Sequence, residues 1–163
     1  DVDLPSEDYL DTVAHARDHL LEPAGMLVPS RLTLWVVAVA WIPTPHVNDE
    51  ILFQSAYAGR RIVGIGNLPA VRSLCKAPAV LCNIDLAKVE SDLPCEVALT
   101  LDFPGCYCGA ACWHDSRAVS VASSVPSHAT IFFCKRRRMT SAGEVLRLSA
   151  AFSEHELVVA ETS

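Results

Sequence analysis

The amino-acid sequence predicts a mainly β fold: an antiparallel, barrel-like domain with an N-terminal helix and a short inserted helical arm. Apolar residues recur at helical spacing near the start, whereas from Val80 onward they alternate with polar residues at a period of two. Short turn-forming stretches separate the alternating runs, which is typical of antiparallel barrels and sandwiches. The chain has 163 residues, 51% hydrophobic and 20% charged, so it can bury a sizeable core and is not a disordered polypeptide.

The first element is a helix predicted over residues 6–21. Ser6 can cap it, and the acidic residues that follow suit the positive end of the helix dipole. One helix face is formed at a 3.6-residue period by Leu10, Val13, Arg17 and Leu21. Pro23 and Gly25 end the helix, because proline cannot continue it and glycine tolerates a left-handed cap. A short apolar strand is predicted next at Met26–Val28.

Strands are predicted for most of the remaining chain. Arg31–Ala40 is rich in β-branched and aromatic residues, which favour a strand. The clearest alternation predicts one buried face, formed by Cys95, Val97, Leu99, Leu101 and Phe103. Further strands are predicted at Gly109–Trp113, Thr130–Cys134, Glu144–Ala150 and Glu156–Ala160.

Residues 49–78 have a less regular pattern. Apolar side chains repeat there at steps of three, which predicts a short helix around Pro69–Leu74 with the proline in its first turn. The repeating residues are Ile65, Leu68, Val71 and Leu74. An exposed apolar stripe of this kind marks an interface; the alternative is a helix folded onto the chain's own barrel.

Three parts of the sequence resemble the protein arginine methyltransferase family. The first is Ala16-Arg17-Asp18 followed by Leu20, Pro23, Gly25, Pro29 and Ala38. It is similar to the segment that joins the family's cofactor-binding domain to its β-barrel. Asn83–Asp92 resembles the strand that opens the barrel after the dimerisation arm. Thr130–Phe133, followed by Gly143-Glu144, resembles the last barrel hairpin.

The resemblance implies a domain organisation. Residues 1–163 are expected to form a single β-barrel domain, with residues 6–21 as the connecting helix and residues from about 60 to 76 as the dimerisation arm. The S-adenosylmethionine-binding domain is expected outside this chain, because no glycine-rich strand–loop–helix pattern occurs here.

The resemblance also implies a reaction, in which a methyl group passes from S-adenosylmethionine to an arginine guanidinium of a protein substrate. The cofactor is expected in the parent enzyme or its partner, and none is expected to be bound by this chain alone. Family members dimerise through the arm, so the expected partner is an arginine methyltransferase subunit in a homo- or hetero-oligomer. Ile65, Leu68, Val71 and Leu74 are the candidate interface residues.

Glu7 is the candidate catalytic residue. In the family, two glutamates clamp the substrate guanidinium, because carboxylates accept its N–H groups in pairs and oppose its charge. Glu7 stands at the second glutamate's distance from Ala16-Arg17-Asp18. The alternative is an ordinary acid in the first turn of a helix.

A departure from the family occurs just before Thr130. Active members usually carry Thr-His-Trp there, in a loop that helps to close the substrate site. This sequence has Val125, Pro126 and Ser127 at those positions, and His128 is displaced by one position. We therefore expect a catalytically silent, prozyme-like regulatory subunit that activates a catalytic partner. The alternatives are an active enzyme whose loop uses His128 and an unrelated β-rich protein-binding module.

The remaining features of the composition bound the function. A net charge of −6 disfavours direct nucleic-acid binding, and Lys135–Arg138 is interpreted as a solvated strand end and hairpin tip. No apolar run is long enough for a membrane span. The odd number of cysteines, seven, favours reduced thiols in an intracellular protein. We expect a cytoplasmic location, and a nuclear location is the alternative because of the basic run.

The cysteine-rich stretch before residue 115 raises the question of a metal site. Its spacing is Cys106-x-Cys108-x3-Cys112-x-His114. A single strand would spread these four residues over about 26 Å at ~3.3 Å per residue. Ligands of one ion must converge, so no metal is expected there.

Overall fold

A computed structural model describes residues 7–41, 61–63, 71–88, 90–91, 93–115, 126, 129–153 and 156–162. Within these residues one helix is followed by ten strands. The helix is α1 (Glu7–His19), and the strands are β1 (Arg31–Trp41), β2 (Arg61–Val63), β3 (Val71–Ser73), β4 (Ala79–Asp85), β5 (Glu90–Ser91), β6 (Cys95–Thr100), β7 (Gly105–Asp115), β8 (Thr130–Thr140), β9 (Val145–Ser153) and β10 (Glu156–Glu161). The predicted mainly β class, with an N-terminal helix, is confirmed.

The strands form two antiparallel sheets. The larger has seven strands in the order β2-β8-β7-β1-β4-β5, with β3 pairing to β1 beside this path. The smaller has the order β10-β9-β6. The described strands do not close into one continuous barrel, although the arrangement is compatible with a barrel-like class.

Strand β1 is the centre of the larger sheet. It pairs with β7 along most of its length on one edge and with β4 and then β3 on the other. Residues 36–40 of this strand are all at most 3% exposed. Such a continuous apolar run is expected of a strand that is covered on both faces.

The pairing of β7 with β8 contains an unusually close approach of two backbones. The register shifts between Tyr107 and Gly109. A Cβ atom added to Gly109 would lie 2.2 Å from the carbonyl oxygen of Phe132. Only glycine fits this position without a shift of one strand.

Backbone hydrogen bonds extend the β6–β9 pairing of the smaller sheet and also join this sheet to the larger one. The amide of Leu101 donates to the carbonyl of Glu144 at 2.8 Å, and the amide of Gly143 donates to the carbonyl of Leu101 at 2.7 Å. On the other side, the amide of Leu74 donates to the carbonyl of Ala38 at 2.8 Å. The Asp102 amide donates to the Leu74 carbonyl at 2.8 Å, so the segment after β6 is fixed against the segment after β3.

Several sequence predictions are wrong in detail. Met26–Val28 is not a strand, because it pairs with no strand in the part of the chain that the structure describes. Val71–Ser73 is a strand paired to β1 rather than part of a helix. The side chain of Phe103 is 43% exposed and does not join the core, since β6 ends at Thr100 and the alternation ends with it.

The position of the basic run Lys135–Arg138 also differs from expectation. It lies inside β8, which continues to Thr140, rather than at a strand end or a hairpin tip. The turn itself follows at residues 141–144.

Candidate functional site

Helix α1 begins with the candidate catalytic residue, and contacts along the helix hold it against the rest of the fold. Glu7 is the first residue of α1, while its side chain lies outside the described residues. Leu10, only 8% exposed, belongs to the hydrophobic core, and Val13 packs against that core. Nη1 of Arg17 donates a hydrogen bond to the Ala87 carbonyl at 3.2 Å. The helix is therefore held to the core by Leu10 and Val13 and to the turn after β4 by Arg17.

Arg17 and Asp18 form a two-point ion pair at the end of α1. Nε of Arg17 donates to Oδ1 of Asp18 at 2.7 Å, and Nη2 donates to Oδ2 at 3.0 Å. The hydrogen bond holds the pKa of the Asp18 carboxyl below its usual value and raises that of Arg17. With its third contact to Ala87, Arg17 joins the helix to the turn after β4.

An open groove lies between the end of α1 and the start of β1. Arg17 and Arg31 contribute charge to its lining, and Met26 and Val28 contribute apolar surface. Met26 is 84% exposed and Val28 is 89% exposed. Exposed apolar side chains gathered beside cations are typical of a surface that contacts another macromolecule.

The predicted substrate loop is described at one residue only. Pro126 is half-buried, and its carbonyl accepts a hydrogen bond from the Ala129 amide at 3.0 Å. Val125, Ser127 and His128 lie outside the described residues, so their role stays a prediction.

The four candidate interface residues are not equivalent. Ile65 and Leu68 lie outside the described residues. Val71 is half-buried in β3, opposite Trp41 of β1. The side chain of Leu74 has no exposed surface. The prediction of an exposed interface residue is therefore wrong for Leu74, because its side chain fills the chain's own core.

A charged cluster that the sequence did not predict surrounds Arg138. Its Nη1 donates to Oε1 of Glu144, and its Nη2 donates to Oε1 of Glu161 at 3.0 Å. The guanidinium carbon lies 5.7 Å from the centre of the buried Tyr107 ring, a cation–π arrangement. The hydrogen bond from Arg138 lowers the pKa of the Glu144 carboxyl, and the two glutamates raise the pKa of Arg138.

This Arg138 cluster joins strands β7, β8 and β10 to the turn that precedes β9. One sequence signal could have found half of it, because Arg138 and Glu144 lie on either side of a short hairpin turn. Glu161 is 23 residues away, and nothing in the local sequence pairs it with Arg138. The cluster neutralises one charge of the basic run within the molecule.

Burial makes two of the cysteine thiols unreactive. None of the seven forms a disulfide bond, and Cys75, Cys82, Cys108 and Cys112 are buried. Burial raises the pKa of the Cys112 thiol strongly and that of Cys134 to about 11. These thiols are therefore protonated and poorly nucleophilic at neutral pH. Among the described residues, no group of three or more potential ligands is placed to hold a metal ion.

The described residues contain no strand–turn–helix unit of the kind that holds the phosphates of many nucleotide cofactors. Such sites place phosphates or a nucleoside at a glycine-rich turn between a strand and a following helix. Here α1 precedes every described strand, and no described strand leads into a helix. Over the same residues, no helix has the length and apolarity needed to cross a membrane.

Comparison with known proteins finds a similar fold among solved structures but no similar sequence. No model of a known protein family matches the sequence, and no curated protein matches it. Among solved structures, the fold is similar to part of a protein arginine methyltransferase chain. That chain belongs to the Trypanosoma brucei PRMT1 enzyme–prozyme heterotetrameric complex with AdoHcy, with a TM-score of 0.59 and 16% identity. The likeness covers 92% of this chain and 56% of that chain, so the chain spans about half of its structural neighbour's length.

Proposed function

We propose that this chain is the β-barrel domain of a protein arginine methyltransferase homologue. It contributes to dimerisation and to the substrate-binding face, and its parent is a regulatory subunit that activates a catalytic partner. The observation that carries the proposal is the likeness of fold over 92% of this chain to a chain of an enzyme–prozyme complex. The proposal concerns the role of a longer parent protein, since the neighbouring chain extends well beyond the matched part.

The regulatory role is supported by the sequence around the substrate face. Val125, Pro126 and Ser127 replace the tripeptide that closes the site in active members of the family. Substrate positioning supplies several kcal/mol of barrier lowering, and a misplacement of about 1 Å costs about 100-fold in rate. The loss of a whole site-closing tripeptide therefore favours a subunit that is a poor enzyme by itself.

A role in assembly is supported by the exposed surface beside the groove. Met26 and Val28 expose most of their side chains to solvent, next to the helix that carries Glu7. A partner that covers these side chains would remove apolar surface from water, which stabilises the complex by about 25 cal/mol per Å² of buried apolar area. The arm region near Val71 is the second candidate contact. S-adenosylmethionine would be held by the rest of the parent or by its partner.

An active enzyme is the second candidate function. The observation that favours it is the place of Glu7, the first residue of a helix that Leu10 anchors to the core and Arg17 anchors to the turn after β4. A glutamate at the start of such a helix suits the binding of a guanidinium. In that case His128 would serve the loop in place of the family's tripeptide.

The two candidates are separated by a methyl-transfer assay on the full-length parent. The methyl donor is S-adenosylmethionine, the acceptor is an arginine-rich peptide, and the rate is measured for the parent alone and mixed with an active homologue. The proposal predicts little transfer by the parent alone and a higher rate of the homologue in the mixture. Robust transfer by the parent alone would favour the active enzyme instead.

Assembly is tested separately by light scattering on the full-length parent. A charged substitution in the arm, Leu68→Asp or Val71→Asp, is expected to reduce the molar mass of the particle without unfolding the β domain. Circular dichroism checks the fold, and Leu74→Asp is the comparison variant, because it places a charge in the core and is expected to unfold the chain. An unchanged molar mass for both arm variants would count against the dimerisation role.

A further inference from the structure

Two histidines stand side by side on the exposed face of α1. His15 and His19 are four residues apart, a spacing that brings side chains together on one face of a helix. Their rings are stacked, with centroids 4.3 Å apart and planes inclined by 20°. Both side chains are exposed. The proposed function uses neither imidazole.

The protonation of His19 follows from its hydrogen bond. Its Nδ1 lies 3.1 Å from the backbone carbonyl oxygen of His15. A carbonyl oxygen can only accept, so Nδ1 carries the proton and the lone pair of the neutral ring lies on Nε2. Metal-binding histidines are usually held in this way, with the second ring nitrogen donating to a carbonyl or a carboxylate.

We propose that His15 and His19 form a two-ligand site for a divalent transition-metal ion such as Zn²⁺, Ni²⁺ or Cu²⁺. Imidazole nitrogen favours these ions, whereas Mg²⁺ and Ca²⁺ prefer oxygen ligands. In such a site one nitrogen of each ring would lie about 2.0–2.1 Å from a zinc ion, which requires the His15 ring to rotate out of the stacked arrangement while His19 keeps its hydrogen bond and offers Nε2. Water fills the remaining positions of the ion.

The surroundings limit the protein's contribution to these two ligands. The nearest carboxylate in sequence, Asp18, is already engaged at both oxygens by Arg17. No third ligand from the described residues joins the pair. The site is therefore weaker than a structural zinc site with four protein ligands, and its effect is to connect the last two turns of α1.

The test is isothermal titration calorimetry with Ni²⁺ on the purified chain, free of any affinity tag. Nickel is the first probe because it is redox-inert toward the thiols, and Zn²⁺ is the second. We expect about one Ni²⁺ per chain. His15→Ala and His19→Ala should each weaken binding by about 10- to 100-fold, since even the loss of an outer contact to a metal ligand has that effect.

A rearranged pair separates geometry from histidine content. The double variant His19→Gln with Leu20→His keeps the number of histidines but spaces them five residues apart, about 140° apart around the helix. It should bind as weakly as the single variants, and His155→Gln should bind like the natural chain. The proposal is overturned if the rearranged variant binds as tightly as the natural chain or if removing His15 leaves the affinity unchanged. Circular dichroism confirms that each variant keeps its fold.

Discussion

The second half of β1 and the segment that follows α1 are both apolar, yet their environments are opposite. Residues 36–40 of β1 are at most 3% exposed, whereas Met26 and Val28 are 84% and 89% exposed. The two segments lie within fifteen residues of each other in the sequence. An apolar run therefore does not determine its own burial.

The difference comes from the neighbours of each segment. Strand β1 has paired strands on both edges, and the side chains of its second half belong to the hydrophobic core. Met26–Val28 has no paired strand among the described residues. We interpret the buried segment as the support of the fold and the exposed one as surface available to another part of the parent or to a partner.

The largest expected effect comes from the backbone contact beside β1. Gly109→Ala would place a Cβ atom 2.2 Å from the Phe132 carbonyl oxygen, and β7 or β8 would have to move. We expect a loss of about 4 kcal/mol or more, measured by urea unfolding.

Gly143→Ala is the matched control for this prediction. Gly143 has a φ of 85°, and nothing lies within 4 Å of an added Cβ. The cost is then backbone strain alone, about 1–2 kcal/mol. Equal losses for the two variants would contradict the role given to the close contact at Gly109.

The next effect concerns the one-sided burial of β6. Leu99 is 3% exposed and Val97 is half-buried on the same strand. Leu99→Ala should cost about 3 kcal/mol, because it removes buried methylene groups and leaves a cavity. Val97→Ala should cost less, and a loss below about half a kcal/mol for Leu99→Ala in the same unfolding experiment would refute its burial.

The Arg138 cluster is expected to contribute less, and its contribution depends on pH. The pKa of Glu144 is lowered in the folded chain, chiefly by its hydrogen bond with Arg138. The stabilisation is therefore fully present above the unfolded carboxyl pKa of about 4.3 and is lost as the pH falls through the lower folded value. Arg138→Gln should lower the melting temperature at pH 7 by at most ~3 °C, since the ion pairs are partly exposed.

The control for the Arg138 cluster is the pH series itself. The difference in melting temperature between the natural chain and Arg138→Gln should shrink as the pH is lowered below about 4. A difference that stays constant from pH 7 to pH 3 would mean that packing against Tyr107, rather than the ion pair, is responsible.

The smallest effect is expected at the exposed segment. Met26→Ser should change the free energy of unfolding by no more than about 0.5 kcal/mol, because the side chain is already in water. Val37→Ser, in the buried half of β1, should cost several times as much. If Met26→Ser and Val37→Ser lowered the free energy of unfolding by similar amounts, Met26 would be buried in solution and the two segments would not differ in environment.

The sequence predicted the fold best where one period governs a whole strand. The alternation through Cys95, Val97 and Leu99 identified β6, and the β-branched run identified β1. The period failed at Phe103, because burial past the end of a strand depends on how the chain turns. It failed again at Val71–Ser73, where spacing of three also fits a short strand followed by a buried Leu74.

The candidate site was harder to predict because its parts are far apart in sequence. Arg17 and Ala87 are 70 residues apart, and Arg138 and Glu161 are 23 residues apart. Such contacts are products of strand pairing, which no local pattern encodes. The resemblance of Ala16-Arg17-Asp18 to a known family indicated an important position without indicating the contact that Arg17 makes.

The central claim is that this chain supports assembly and does not supply the chemistry. The most direct test measures the initial rate of methyl transfer by an active homologue mixed with the full-length parent. The natural parent is compared with its Glu7→Gln variant. The claim predicts equal stimulation by both forms, because the carboxylate of this chain is not used. Loss of the stimulation with Glu7→Gln, so that the mixture returns to the rate of the homologue alone, would contradict it.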